Sequence, residues 1–206
     1  FLTDFNYTFM EARGTGSDPA SNFNIAWIGD TYPTIVNRLD FDQSHTGSVI
    51  VDYRAPIESG LVAGFGMSAV YSFGSGQAYT PSKMVSAIFD RGWFAPLSAV
   101  NAGSLPWFNR LDLRIDKKMN FGSVNANVYL LVLNALKQEN VNTVVPTSGN
   151  AATDGWLETA AGQIWLESQN TAYPGVDAEA LYYDRLRNPT HWDIPRVVRF
   201  GVEFGF

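Results

Sequence analysis

Cysteine is absent from the 206 residues, so neither a disulfide framework nor a thiolate metal site can form. Its absence fits an exported bacterial protein. Lysine and arginine number only 14 against 20 acidic residues, a net charge of −6, and no basic block occurs. Nucleic acid is thereby excluded as a partner. No apolar run approaches the ~20 residues that a membrane helix requires. A basic-then-apolar leader is also missing, and the chain opens at Phe1 without an initiator Met, so the true start of the protein is expected to lie upstream. A soluble β protein and a membrane barrel remain. Hydropathy does not separate them, because only alternate residues of a barrel strand face lipid.

Alternation is what the chain does have. A period of two predicts six strands, over Phe1–Ala12, His45–Ala55, Leu61–Gly74, Asn109–Lys118, Val124–Asn134 and Arg196–Phe206. One face collects Phe5, Tyr7, Val49, Val51, Phe65, Met67, Leu111, Leu113, Val128, Leu130, Phe200 and Val202 with their like neighbours. The opposite face collects Asp4, Asp52, Arg54, Arg110, Asp112, Arg114, Asp116, Arg199 and Glu203. A charge facing lipid at mid-bilayer costs about 2–4 kcal/mol, so a split this clean favours a membrane wall with a polar lumen. The connections 13–44, 75–108 and 135–195 are long, whereas 56–60 and 119–123 are short. That alternation is the barrel pattern of extracellular loops and periplasmic turns, and it places the carboxy terminus on the periplasmic side. A soluble sandwich, which also alternates, has no reason to follow it.

Six strands cannot close, since the smallest outer-membrane barrels use about 8 and an unpaired edge in lipid leaves backbone groups unsatisfied. Gly162–Ser168 is a candidate for one strand of a hairpin hidden in the last long connection. Further strands are expected outside the chain.

Several segments resemble the end of a TonB-dependent receptor barrel, of the large kind found in Bacteroidota. They are Tyr7–Pro19 (YTFMEARGTGSDP), Leu39–Thr46 (LDFDQSHT) with Val51–Arg54 (VDYR), Phe73–Ser82 (FGSGQAYTPS), Asn109–Lys118 (NRLDLRIDKK), Tyr129–Asn142 (YLLVLNALKQENVN) and Pro195–Phe206 (PRVVRFGVEFGF). Their order spans nearly the whole chain. The resemblance implies an all-β fold: residues 1–206 as the last six to eight strands of an antiparallel transmembrane barrel of roughly 22 strands. The amino-terminal plug and the earlier strands would lie outside this chain. It further implies import of a bulky nutrient (an iron chelate, cobalamin or a glycan) across the bacterial outer membrane. The expected partners are outer-membrane lipid, the rest of the barrel and its plug, the TonB complex, the barrel assembly machinery and a surface lipoprotein. The alternative is a structural or secretion-associated barrel in an envelope complex, with no transport of its own.

Three groups of candidate residues follow. Val198, Phe200, Val202, Phe204 and Phe206 form the terminal aromatic pattern that resembles an assembly signal, which pairs as an added strand with the assembly machinery. Asp52, Arg54, Arg110, Asp112, Arg114, Asp116, Arg199 and Glu203 face the lumen, where cross-strand ion pairs or a plug would meet them. Trp93, Trp107, Trp156 and Trp192 lie in the long connections, either as an interfacial aromatic belt with loop packing or as a ligand-contacting rim. No catalytic residue is assigned. Ser44 and His45 are strand neighbours that project to opposite faces, and His191 with Asp193 has no nucleophile at useful spacing. A bilayer-embedded hydrolase would need a lipid-facing Ser and His on adjacent strands, and no such pair exists. No cofactor is expected. Calcium at Asp177, Glu179 and Asp184 is the one metal reading, and these acids lack the EF-hand spacing. Gly74-Ser75-Gly76 is a turn without the Lys and helix of a phosphate loop.

Overall fold

A computed structural model describes residues 1–18, 20, 35–56, 58, 60–84 and 94–205. Six long strands form one antiparallel sheet in sequence order: β1 (Leu2–Phe9), β2 (His45–Arg54), β3 (Phe65–Gly74), β4 (Phe108–Phe121), β5 (Val124–Leu133) and β6 (Val197–Gly205). Every strand pairs with its chain neighbour, so the sheet is a meander with β1 and β6 at its open edges. Short two- and three-residue ladders tie the long connections: Arg13–Gly14 with Asn37–Arg38, Ala78–Tyr79 with Gly103–Ser104, and Ser82–Met84 with Phe94–Pro96.

Register turns the alternation into two surfaces. Phe5, Val49, Tyr71 and Leu111 stand side by side across four strands. Tyr53, Met67, Ile115, Leu130 and Phe200 do so across five. These side chains are open: Phe5 is 65% exposed and Phe200 72%. No second sheet or helix makes an extensive contact with this wall among the described residues. A sandwich would have covered it, since an antiparallel sheet in water buries one face against a second layer.

The strand limits depart from the sequence reading chiefly in three places. The third strand starts at Phe65, not Leu61; Gly60–Val62 is a 3-10 turn that leaves Leu61 fully exposed. The first strand stops at Phe9, where Met10 still donates to the Ser44 carbonyl at 3.0 Å but the ladder ends. The fourth strand runs on to Phe121, so the turn after it shrinks to Gly122 and Ser123, with Gly122 at φ 76° as a two-residue hairpin requires. Lys117, already inside the expected Asn109–Lys118, stands between Phe65 and Val128 on the apolar wall, the one cation in that register. Its Nζ donates to the carbonyls of Leu61 (2.9 Å) and Ala63 (2.6 Å), so the ammonium is carried to the turn end of the sheet.

The hairpin strand expected over Gly162–Ser168 is wrong. Those residues lie inside helix α1 (Ala160–Ala172), followed by helix α2 (Ala178–Leu186). Thr159 caps α1 by accepting from the Gly162 amide at 3.1 Å, and Asp177 caps α2 through Ala180 at 2.9 Å. The short apolar run GQIWLES is ambiguous by period alone, and the cap together with straight-chain Gln, Leu and Glu decides for a helix.

Candidate functional site

The polar face of the sheet is built on β4. Arg110, Asp112, Arg114 and Asp116 project to the same side, and register brings Asp52 and Arg54 from β2 and Arg199 and Glu203 from β6 to that side. Asp116 is its centre, 2% exposed. Arg54 Nη1 donates to both its oxygens at 2.9 and 2.7 Å, crossing over Gly66, and Arg114 Nε lies 3.6 Å away. A side chain at Gly66 would collide with the Arg54 guanidinium, so the glycine makes the crossing possible. Gly201 does the same for Tyr129, whose ring lies beneath the Arg114 guanidinium at 4.4 Å. Further along, Arg110 pairs with Asp112 at 3.1 Å and with Asp193 at 3.2 Å. Glu203 accepts from Asn127 at 3.0 Å, and Arg114 approaches it at 3.9 Å. Arg199 makes no ion pair among the described residues and is exposed. Seven of the eight candidate lumen residues are thus joined in ion pairs, and Arg199 is not.

At the loop end of the sheet the tryptophans part company. Trp107 stacks on His45 (5.7 Å between ring centres), and His45 meets the Tyr7 hydroxyl at 2.8 Å and Phe9 at 5.3 Å. Tyr7, Phe9 and His45 belong to the apolar face, so this cluster rims that face. Trp156 is packed inside the last connection, against Tyr182 and Trp165, with ring centres 5.5 Å away from each. Tyr182 donates to Asp154 at 2.6 Å; burial, with that carboxylate beside it, pushes its phenol well above the ordinary range. Trp192 lines an open cleft of about 710 Å³ between the segment after β5 and the segment before β6. Trp93 lies outside the described residues, as does Phe206; Val198, Phe200, Val202 and Phe204 are exposed along edge strand β6.

Asp177 is occupied as a helix cap, and among the described residues no three His, Asp or Glu side chains gather as a metal site. His191 meets the Ala151 carbonyl at 2.8 Å, and Asp193 is held by Arg110.

Three residues with structural roles escape the alternation argument. Asn134, at φ 51°, receives the Gln138 amide on its side chain and donates to the carbonyls of Gln138 and Ile194, while its own amide binds Asp112. Asn140 pairs through its side chain with both backbone groups of Asn109. Asp42 accepts from the Ala12 amide at 2.7 Å and from Arg38 at 2.8 Å, joining the exit of β1 to the start of β2. The Ala12 hydrogen bond holds its carboxyl below the usual carboxylate range; burial opposes this and Arg38 assists it. An Asn directly after an alternating run is the one sequence signal for the first of these, because Asn tolerates positive φ.

This chain is distantly similar to a TonB-dependent transporter. It is 27% identical over 232 aligned positions to the TonB-dependent transporter Oar of Myxococcus xanthus, a match that covers all of the chain and 21% of that protein. The chain therefore spans about a fifth of the relative's length. No protein-family model matches the sequence, and no solved structure does. None of the described helices is long and apolar enough to cross a membrane, which says nothing about crossing by strands.

Proposed function

We propose that this chain is a wall segment, at the carboxy-terminal end, of a transmembrane β-barrel in the bacterial outer membrane, belonging to a TonB-dependent importer of a bulky nutrient. The exposed apolar wall supports this reading above all. On six consecutive strands one face is uncharged apart from Lys117 at its turn end, while the reverse face carries the charges. In lipid, such a wall avoids the cost of about 2–4 kcal/mol that each mid-bilayer charge would add. The similarity to a TonB-dependent transporter supports the import activity, with the TonB complex as its energy source. The polar wall then faces the plug, the long connections face outward to the ligand, and β6 offers the assembly machinery its pattern of Val198, Phe200, Val202, Phe204 and Phe206. A reaction is not part of the reading: the protein binds and passes its cargo.

The intact protein that carries this chain tests the proposal. It is expected in the outer-membrane fraction, soluble only in detergent, with a folded form that migrates differently on gels before and after heating. Recovery in buffer without detergent would sink the barrel. A genuine barrel whose loss leaves growth on iron chelates, cobalamin and glycans unchanged would move the function to a structural or secretion-associated role.

A further inference from the structure

Lysine and arginine are scarce here, and six of them have a visible use. Arg13, Arg38, Arg54, Arg110 and Arg114 sit in ion pairs, and Lys117 serves two carbonyls. The side chains of Lys137, Arg187 and Arg196 form no ion pair or hydrogen bond among the described residues, yet all three line the cleft beside Trp192. Two acids share it. Asp193 is already matched by Arg110 at 3.2 Å, so Glu139 alone offsets the three cations and an excess of two positive charges remains. In a chain of net charge −6 this concentration stands out against the average field.

The location of the cleft decides what it meets. Leu133 pairs with Val197 at the last rung of the β5–β6 ladder. Arg196 is the next residue, two before Val198 and four before Phe200, and so continues the row of the exposed apolar wall by one pleat repeat. Two residues along a strand advance about 7 Å. On the reading of this face as lipid-facing, on which the inference rests, the cations begin where hydrocarbon ends. Ile194 and the Trp192 indole line the same cleft, and Ile194 is exposed there. An apolar row that leads through Arg196 into a cleft with unpaired cations and an indole suits a lipid, with its acyl chain on the row and its anionic headgroup in the cleft.

We infer that the cleft formed by Lys137, Arg187, Arg196 and Trp192 is a binding site for the phosphate group of a membrane lipid seated against the β5–β6 edge of the wall. Guanidinium forks recognise phosphate oxygens by paired N–H bonds, and Lys137 adds a point charge.

The test uses the intact protein in detergent and native mass spectrometry with added phosphatidic acid or phosphatidylcholine. Wild type is expected to retain phosphatidic acid at least tenfold better than phosphatidylcholine. The triple variant Lys137→Gln, Arg187→Gln, Arg196→Gln is expected to lose that preference, while Lys83→Gln, a remote control, keeps it. Equal retention of the two lipids by wild type, or an undiminished preference in the triple variant, overturns the site. Displacement of the lipid by millimolar inorganic phosphate would reassign the cleft to a free anion and overturn the lipid assignment. Heat-dependent gel mobility of the same samples reports separately on the barrel, so loss of the barrel reading and loss of the lipid site are distinguishable.

Discussion

Asp116 shows how the polar wall works at the scale of single residues. It is buried, and its compensation comes mainly from a half-exposed Arg54 on a strand two positions away in the sheet. Removing one partner of a buried pair strands a charge, which costs about 3–5 kcal/mol when nothing replaces it. Arg114 at 3.6 Å and the openness of Arg54 reduce that loss. Arg54→Ala in the intact protein is expected to destabilise by about 2 kcal/mol, with Asp116→Asn in the same background recovering part of it. Urea unfolding of the four proteins in detergent checks this; simple additivity would argue against direct coupling.

A charge on the other face has the opposite consequence. Leu113→Lys sits mid-strand on the apolar wall, beside Val132 and Ala69. It should cost about 2–4 kcal/mol in bilayers and reduce the amount of protein in the outer membrane, whereas Arg114→Lys, one residue on, should do neither. Equal tolerance at both positions would mean the wall does not touch hydrocarbon.

Acid acts through Asp42. Its folded carboxyl titrates below the unfolded value of about 3.9, so its stabilising contribution is complete above that pH and fades as pH falls below it toward the folded pKa. Asp42→Asn is therefore expected to be less stable than wild type at neutral pH, with the gap narrowing below about pH 4 in acid-unfolding curves.

Among the elements, the helices and the strands were not equally readable in the sequence. The strands repeat every two residues with Val, Phe, Tyr and Leu on one side, so all six are located within four residues, and β4 runs three residues past the expected Lys118. The helices sit inside a long connection whose apolar residues serve a small private core of Trp156, Leu157, Trp165 and Tyr182, and no wall-scale alternation points to them. The same is true of the cleft beside Trp192: its cations come from two separate segments, and only the fold brings them together. Within the helical unit, Tyr182→Phe removes a donor from the buried Asp154 carboxylate, which keeps the Trp156 amide at 3.0 Å. A loss of about 1–3 kcal/mol confined to this unit is expected, seen as faster proteolytic nicking between residues 150 and 190 while the heat-resistant barrel band persists.

For the molecule as a whole, the sheet is a sector with two free edges, Leu2–Phe9 and Val197–Gly205. Among the described residues each has backbone groups without a strand partner, which lipid would not satisfy, so on the proposed membrane reading this sector is expected to need further strands before it enters a bilayer. Expressed alone it should aggregate, and refold poorly in detergent compared with the intact protein.

Lys117 has a consequence for position along the membrane normal. Its ammonium is tethered to the Leu61 and Ala63 carbonyls at the turn end of the sheet, which on the proposed membrane reading lies outside the oily layer. It works as a keel mark: the sheet cannot ride deeper without drowning a charge. Replacing it with leucine should leave the strands paired yet let the whole sector drift by part of a residue's rise, a shift that depth-dependent quenching of Trp107 by brominated lipids would register.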